Sequence, residues 1–181
     1  MKQRDDDMRD VEIEITYVEM LDPSLLVPSR ETELVVTEAE IPSPELNRFL
    51  YTAVGSRWGW IHRRDWSYET WQQYLSRPDM HTWVGYVCGT PAGYFELEQE
   101  GEEVEIRSFG LLPQFYGRGL GGDLLTRAVR IAWSMHASRV WLHTCSLDSP
   151  LGLKNYLARG FRIYKTERVI ERQRSAPREP W

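Results

Sequence analysis

A chain of 181 residues, 41% hydrophobic and 27% charged, is long enough for one domain with a proper core and has an ordinary globular composition. Its net charge of −5 argues against a general nucleic-acid binder, which carries a basic face. The polar start Met1–Asp7 lacks the apolar stretch of a signal peptide, and no run reaches membrane-spanning length. The expectation is a cytoplasmic protein with no nucleic-acid or membrane partner, with a homodimer left open. The two cysteines, Cys88 and Cys145, lie in apolar strand-like segments and make neither a disulfide framework nor a metal pattern. They read as buried reduced thiols.

Residues 1–10 and 172–181 are polar or charged and are expected to be flexible ends. Val11–Val18 alternates strictly, as a half-buried strand does, and Leu34–Thr37 is a shorter strand beyond Pro23 and Pro28. Ser43-Pro44-Glu45 opens a helix with a serine cap, a proline at the first helical position and an acid, and Gly55 closes it. A second helix spans Tyr68–Ser76, with Tyr68, Trp71 and Leu75 on one face, and ends before Pro78.

A meander follows. His81–Cys88, Ala92–Glu100 and Glu102–Leu112 are three strands joined by links so short that they must pair antiparallel. After a glycine-rich loop, Leu120, Leu124, Ala128, Ile131, Ala132 and Met135 recur at helical spacing. Arg139–Cys145 then reads as a strand, Pro150–Arg159 as a helix and Phe161–Ile170 as a last strand. The order is β, helices, three strands, then α-β-α-β. This is an α+β fold with a central, mostly antiparallel sheet flanked by helices, in one domain over 1–181.

The loop carries the chemistry. Gly117, Gly119, Gly121 and Gly122 lead directly into a helix, where uncapped N–H groups and the helix dipole favour a phosphate. A Walker-type loop would end Gly-Lys-Ser/Thr, but Asp123 follows Gly122. Gly117, Gly119 and Gly122 match the spacing of a dinucleotide fingerprint. The strand before them ends an antiparallel meander, however, and too little chain follows for a doubly wound sheet, so a dinucleotide-dependent oxidoreductase is a distant reading.

Leu111-Leu112-Pro113, the loop Tyr116-Gly117-Arg118-Gly119-Leu120-Gly121, the helix after it, and Asn155-Tyr156 followed by Gly160-Phe161 resemble the GNAT acyltransferase superfamily over roughly Met80–Tyr164. The resemblance implies a GNAT-type fold and an N-acetyltransferase that moves an acetyl group from acetyl-CoA to a primary amine by direct transfer in a ternary complex, without a metal. It places the coenzyme pyrophosphate on the amides of 116–122, with Gly119 and Gly121 at the family's two small positions. Tyr116 stands where the family usually has Gln or Arg. It also implies that Phe109–Leu111 pairs with the pantetheine arm, that the flanking strands diverge there, and that the main-chain N–H of Leu111 or Leu112 polarises the thioester carbonyl. Ser149 and Asn155 are further coenzyme contacts, although a helix cap accounts for Ser149 as well.

By the same resemblance Tyr156 is the general acid. A phenol of pKa about 10 can protonate a departing thiolate of pKa about 8.5. A packed helix aromatic is the plainer alternative, and Tyr164 is a weaker competitor. Glu105 is the candidate base. Strict alternation would put it on one face with Arg107, Phe109 and Leu111, and an acid simply paired with Arg107 is an equal reading. Glu96 is the next candidate. His143, Cys145 and Asp148 lack the surroundings of a nucleophilic triad, and His62, His81 and His136 lack metal-ligand spacing. The acceptor side should come from the helices within 40–80. There, Arg57, Arg63 and Arg64 among tryptophans could wall a pocket, or the tryptophans could simply be core. Glutamates along the 96–103 hairpin could draw a cationic acceptor or be plain surface charge. A non-catalytic acyl-CoA sensor is the alternative function.

Overall fold

The strand that alternation marks at Val11–Val18 continues beyond both ends of that pattern. In the computed structural model, which describes residues 8–174, strand β1 spans Met8–Met20 and pairs antiparallel with the last strand, β7 (Arg162–Arg174), from Met8↔Arg174 to Glu19↔Arg162. Residues 8–10 and 172–174, expected to be flexible, are therefore strand. Each supplies the other's backbone partners, which polar side chains do not prevent. The remaining expected ends, 1–7 and 175–181, lie outside the described residues.

Between β1 and β7 the order is β2 (Val35–Glu38), α1 (Pro44–Gly55), α2 (Tyr68–Leu75), β3 (Met80–Val87), β4 (Thr90–Glu100), β5 (Glu103–Leu111), α3 (Leu120–Ser134), β6 (Arg139–Cys145) and α4 (Pro150–Ala158). The cap signals work as local chemistry predicts. The Ser43 hydroxyl accepts from the N–H of Leu46 and the Ser67 hydroxyl from that of Thr70. No described helix is long and apolar enough to cross a membrane.

The strands form one seven-stranded sheet in the order β2-β3-β4-β5-β6-β1-β7. All neighbours are antiparallel except β5 and β6, whose parallel contact holds only Glu103↔Arg139, Val104↔Val140 and Glu105↔Trp141. A fold of this class results, α1 and α2 covering one face of the sheet and α3 and α4 the other. Val54 of α1 lies against Gly110, while Leu111 reaches Gly121 of α3 and Phe109 meets Tyr156 of α4 edge to face. The core between these layers includes Val18, Leu50, Phe95, Leu97, Leu120, Leu124, Leu125, Val129 and Leu142.

One expectation about facing is corrected. Glu96 pairs with Ser108 and Leu97 with Ile106, so Arg107 is an extra residue in β5, a bulge. The extra residue shifts the alternation by one. Glu105 and Arg107 stay on the α1 side, whereas Phe109 and Leu111 turn to the α3 side.

Gly160, after α4, has φ +97°, and a Cβ there would stand 2.0 Å from the carbonyl oxygen of Leu25. Gly160→Ala is therefore expected to cost roughly 1–3 kcal/mol from backbone strain and displaced packing. Thermal or urea unfolding checks this, and a variant as stable as the wild type would show that the 25–26 turn yields freely.

Candidate active site

Beyond Glu105 and Trp141, β5 and β6 separate. β6 continues against β1, while β5 keeps only β4. The gap opens into a cavity of about 910 Å³ lined by Ile106–Leu111 on one strand and Leu142–Cys145 on the other. It reaches Gly117, Gly121, Asn155 and Tyr156 on the α3–α4 side, and Arg57, Trp58, Trp60 and His62 on the α1–α2 side.

The backbone of β5 faces this gap in a definite phase. The N–H of Leu112 donates to Ala92 O at 2.8 Å, so Leu112 belongs to a hydrogen-bonded pair with β4. By antiparallel alternation the N–H and C=O groups of Leu111 and Phe109 point away from β4, into the gap. Of the two carbonyl donors suggested by sequence, Leu112 is spent inside the sheet and Leu111 is available.

At one end of the cavity α3 begins without a side-chain cap, its N-cap Gly119 in the left-handed region at φ +79°. Gly117 and Gly119 have open space where a Cβ would stand. Asp123 in the first turn does not close the site, because its carboxylate accepts from the N–H and hydroxyl of Thr32 and from Arg127. Burial works to raise its pKa, but these bonds outweigh burial and hold it below the usual carboxylate range. The uncapped N–H groups, the left-handed turn and the open space fit a pyrophosphate.

The other sequence candidates fall into two groups. Phe109, Leu111, Tyr116, Gly117, Gly121, Gly122, Ser149, Asn155 and Tyr156 line the cavity. Leu112, Arg118, Gly119 and Leu120 do not. Leu112 and Leu120 are buried, and Arg118 reaches outward to Glu33 at 2.7 Å. Ser149 caps α4 by accepting from the N–H of Leu151, and the Asn155 amide donates to Gly121 O, tying α4 to the start of α3. Sequence reading missed Asp148 as a wall of this cavity. It accepts from Trp60 Nε1, Thr144 Oγ1 and the N–H of Cys145, and so joins the 56–66 loop to the start of α4. No local motif around Asp148 announces a partner 88 residues away.

Tyr156 is buried but lines the cavity, and among the described residues its hydroxyl makes no hydrogen bond. Burial, then the charge of Asp148, pushes its pKa well above the ordinary phenol value, so the proton stays on the ring oxygen at any physiological pH. Tyr164 lies elsewhere, on β7 beside Tyr17 and under Arg139. Glu105 is buried, bound through Oε2 to Arg107 Nη1 at 3.1 Å, and does not itself line the cavity. Glu96 is fully buried among four donors, namely Arg63 at 2.6 Å, Asn47, Tyr74 and Ser108, which leaves it a structural anchor.

The aromatic segment divides. Tyr51, Trp66, Trp71 and Tyr74 form a cage around the guanidinium of Arg63, whose carbon lies 4.4 Å from the Tyr74 ring centre. That cage is filled by the chain's own cation, and outside it Arg57, Trp58, Trp60 and His62 line the cavity on this side. Arg64 supports them by donating to Trp60 O and Ser56 O. Of the hairpin glutamates, Glu98 is engaged with Arg77 and Arg107, and Glu103 with Arg139. Among the described residues no group of three or more His, Cys, Asp or Glu is placed to hold a metal ion.

The sequence profile of the acetyltransferase (GNAT) family matches residues 47–161, so the likeness begins inside α1 and takes in more of the chain than the motifs alone. No curated protein matches the sequence. Among solved structures, a GCN5-related N-acetyltransferase from Sphaerobacter thermophilus aligns with a TM-score of 0.66 and 17% identity, covering 94% of this chain and 54% of its own. A functionally unknown conserved protein from Staphylococcus epidermidis aligns at 0.60 and 20% identity over 90% of this chain and 62% of its own. PaiA N-acetyltransferase from Thermoplasma acidophilum, in complex with coenzyme A, aligns at 0.54 and 18% over 79% of this chain and 99% of its own. The chain thus spans a little over half the length of the first two, and at these identities the likeness is one of fold.

The cysteines differ from expectation. Cys88 is exposed, at φ +50° in the β3–β4 turn, and Cys145 is half-buried. Burial, and Asp148 next, pushes the Cys145 thiol up to about 11, which leaves about a thousandth as thiolate at pH 8. Such a thiol makes a poor nucleophile. Alkylation followed by peptide mass mapping should modify Cys88 at least about tenfold faster than Cys145 at pH 8. Equal rates would contradict the environment assigned to Cys145.

Proposed function

The chain belongs to the acetyltransferase (GNAT) family, and from that premise we propose that it moves an acetyl group from acetyl-CoA to a primary amine by direct transfer in a ternary complex. The observation that carries the reading is one cavity running through a parted sheet, with a bare helix N-terminus on one face and a Trp- and Arg-bearing loop on the other. Two substrates can approach from opposite faces and meet between β5 and β6.

In this reading the α3 amides, with Gly117 and Gly119 leaving room, hold the pyrophosphate. Phe109 and Leu111 offer their outward main-chain groups to the pantetheine amides. The N–H of Leu111 donates to the thioester oxygen, a preorganised donor where negative charge develops. Tyr156, buried and protonated, delivers its proton to the departing sulfur. Trp58, Trp60 and Arg57 shape the acceptor entrance. The amine's proton leaves on the α1 side, where Glu105 and its neighbours stand.

Two measurements test these assignments. In a thiol-release assay with acetyl-CoA and a panel of primary amines and peptide N termini, Tyr156→Phe should lower kcat about a hundredfold with little change in KM for acetyl-CoA. An unchanged rate would remove Tyr156 from the chemistry, and coenzyme binding without release to any acceptor would make the protein a binding module. By calorimetry, Gly119→Glu should abolish coenzyme binding, since it strains a left-handed position and sets a carboxylate at the anion site. Undiminished affinity would refute the loop assignment.

A further inference from the structure

Glu105 holds one carboxylate oxygen in an unfinished state. Oε2 is bound by Arg107, while Oε1 is buried and makes no hydrogen bond. A bare buried carboxylate oxygen is costly, so the donor placed to satisfy it matters. That donor is His143 Nδ1, 3.2 Å away but turned short of hydrogen-bond alignment. The imidazole is 45% exposed, so a small rotation that completes the bond meets little resistance.

Their positions in the sheet explain the meeting. Glu105 and Trp141 are the last residues paired across β5 and β6, and His143 lies two residues further along β6, on the same face. His143 therefore stands at the fork of the parted strands and lines the cavity, which Glu105 does not. Tyr156 approaches the gap from the opposite face, beside Phe109.

We propose that His143, oriented by Glu105, is the group that takes the proton from the acceptor amine. This rests on the acetyl-transfer reading above. Glu105 holds the ring proton on Nδ1, which leaves the Nε2 lone pair open to the cavity. As the amine nitrogen bonds to the acetyl carbon and the carbon–sulfur bond breaks, an ammonium acceptor must lose two protons. The first passes to His143 Nε2 and on to solvent before attack, which frees the nitrogen lone pair; the second leaves by the same route once the nitrogen has bonded to carbon, while the sulfur takes the Tyr156 proton and the phenolate so formed regains one from solvent. Imidazole is suited to this, since its neutral ring nitrogen takes a proton and passes it on to solvent, where a simple carboxylate is a feeble base for an ammonium.

The charged and titratable groups against the imidazole are Glu105 from β5, Tyr17 from β1 and Glu167 from β7, with Arg107 bound to Glu105 and Lys165 to Glu167. Arg107 is held by Glu98 and Glu105, and Glu167 takes both Lys165 and the Tyr17 hydroxyl. Arg139 and Cys145 share its own strand. The guanidinium of Arg139 is turned over Trp141 and Tyr164.

The test uses the full chain, acetyl-CoA and the fastest amine of the panel. His143→Ala should lower kcat/KM at pH 7 at least about a hundredfold, flatten the acid limb of the pH–rate profile, and recover in part with free imidazole. Glu105→Gln, at a positioning residue, should lower the rate about tenfold and move that limb, and the double variant should be no slower than His143→Ala alone. Coenzyme affinity by calorimetry, unchanged in each variant, shows an intact fold, with His143→Gln as the milder replacement. An active wild type whose rate and acid limb survive in His143→Ala, or a loss that imidazole does not rescue and that adds to Glu105→Gln, overturns the base assignment alone. A wild type that releases no thiol with any acceptor overturns the transfer reading and the base with it.

Discussion

Three residue pairs of parallel ladder, Glu103–Glu105 against Arg139–Trp141, are all that join β5 to β6, and the rest of the site follows from where that ladder stops. Backbone groups in a sheet interior are ordinarily paired, because an unmet N–H or C=O away from water is expensive. Past the fork, Phe109 and Leu111 present such groups with no strand opposite. A strand edge in the middle of a sheet is a template for an extended, amide-bearing ligand, which joins it as a further strand would. The same parting lets a ligand from the α3 side and one from the α1 side share a cavity, and it brings His143 beside Glu105.

A second constraint keeps the loop after α1 in place. Arg63, on the loop after α1, is drawn 2.6 Å from Glu96 in the sheet, with Asn47, Tyr74 and Ser108 completing the carboxylate's partners. Burying both charges carries a desolvation cost that only good geometry repays, while removing one partner typically costs about 3–5 kcal/mol. The aromatic cage around the guanidinium adds cation–π attraction in a desolvated setting. An assembly of this kind adds little to net stability and much to uniqueness. The loop from Arg57 to Trp66 has one seat on the sheet, and Trp60 is pinned from the other side by Asp148.

Much of the architecture was legible because its causes are local. Ser43-Pro44-Glu45 caps its helix through its own hydroxyl, alternation in Val11–Val18 reports a half-buried strand, and Gly89–Pro91 and Gly101 leave room only for hairpins. The glycine loop and Tyr156 were visible for the same reason, since an uncapped helix start and a residue at fixed spacing before Gly160 are properties of short segments. Strand ends were less legible. Met8–Asp10 and Arg172–Arg174 look like polar tails, yet each is ordered by the other from more than 160 residues away.

What the sequence by itself determined is the list of elements, the α+β class, the uncapped glycine-rich start of α3 and the place of Tyr156 on α4, because each depends on neighbours within a turn or a strand. Tertiary structure alone decided which groups meet. The bulge at Arg107 reverses the facing of Phe109 and Leu111, the pairing of Leu112 with Ala92 leaves Leu111 as the free donor, and Arg63 fills the aromatic cage that would otherwise stand open. Glu105 and His143, 38 positions apart, come together only at the fork of two strands. One inserted residue inverts every side chain beyond it, and one missing ladder partner opens a cavity where core would be. Both depend on contacts between distant segments, which no window of local pattern contains.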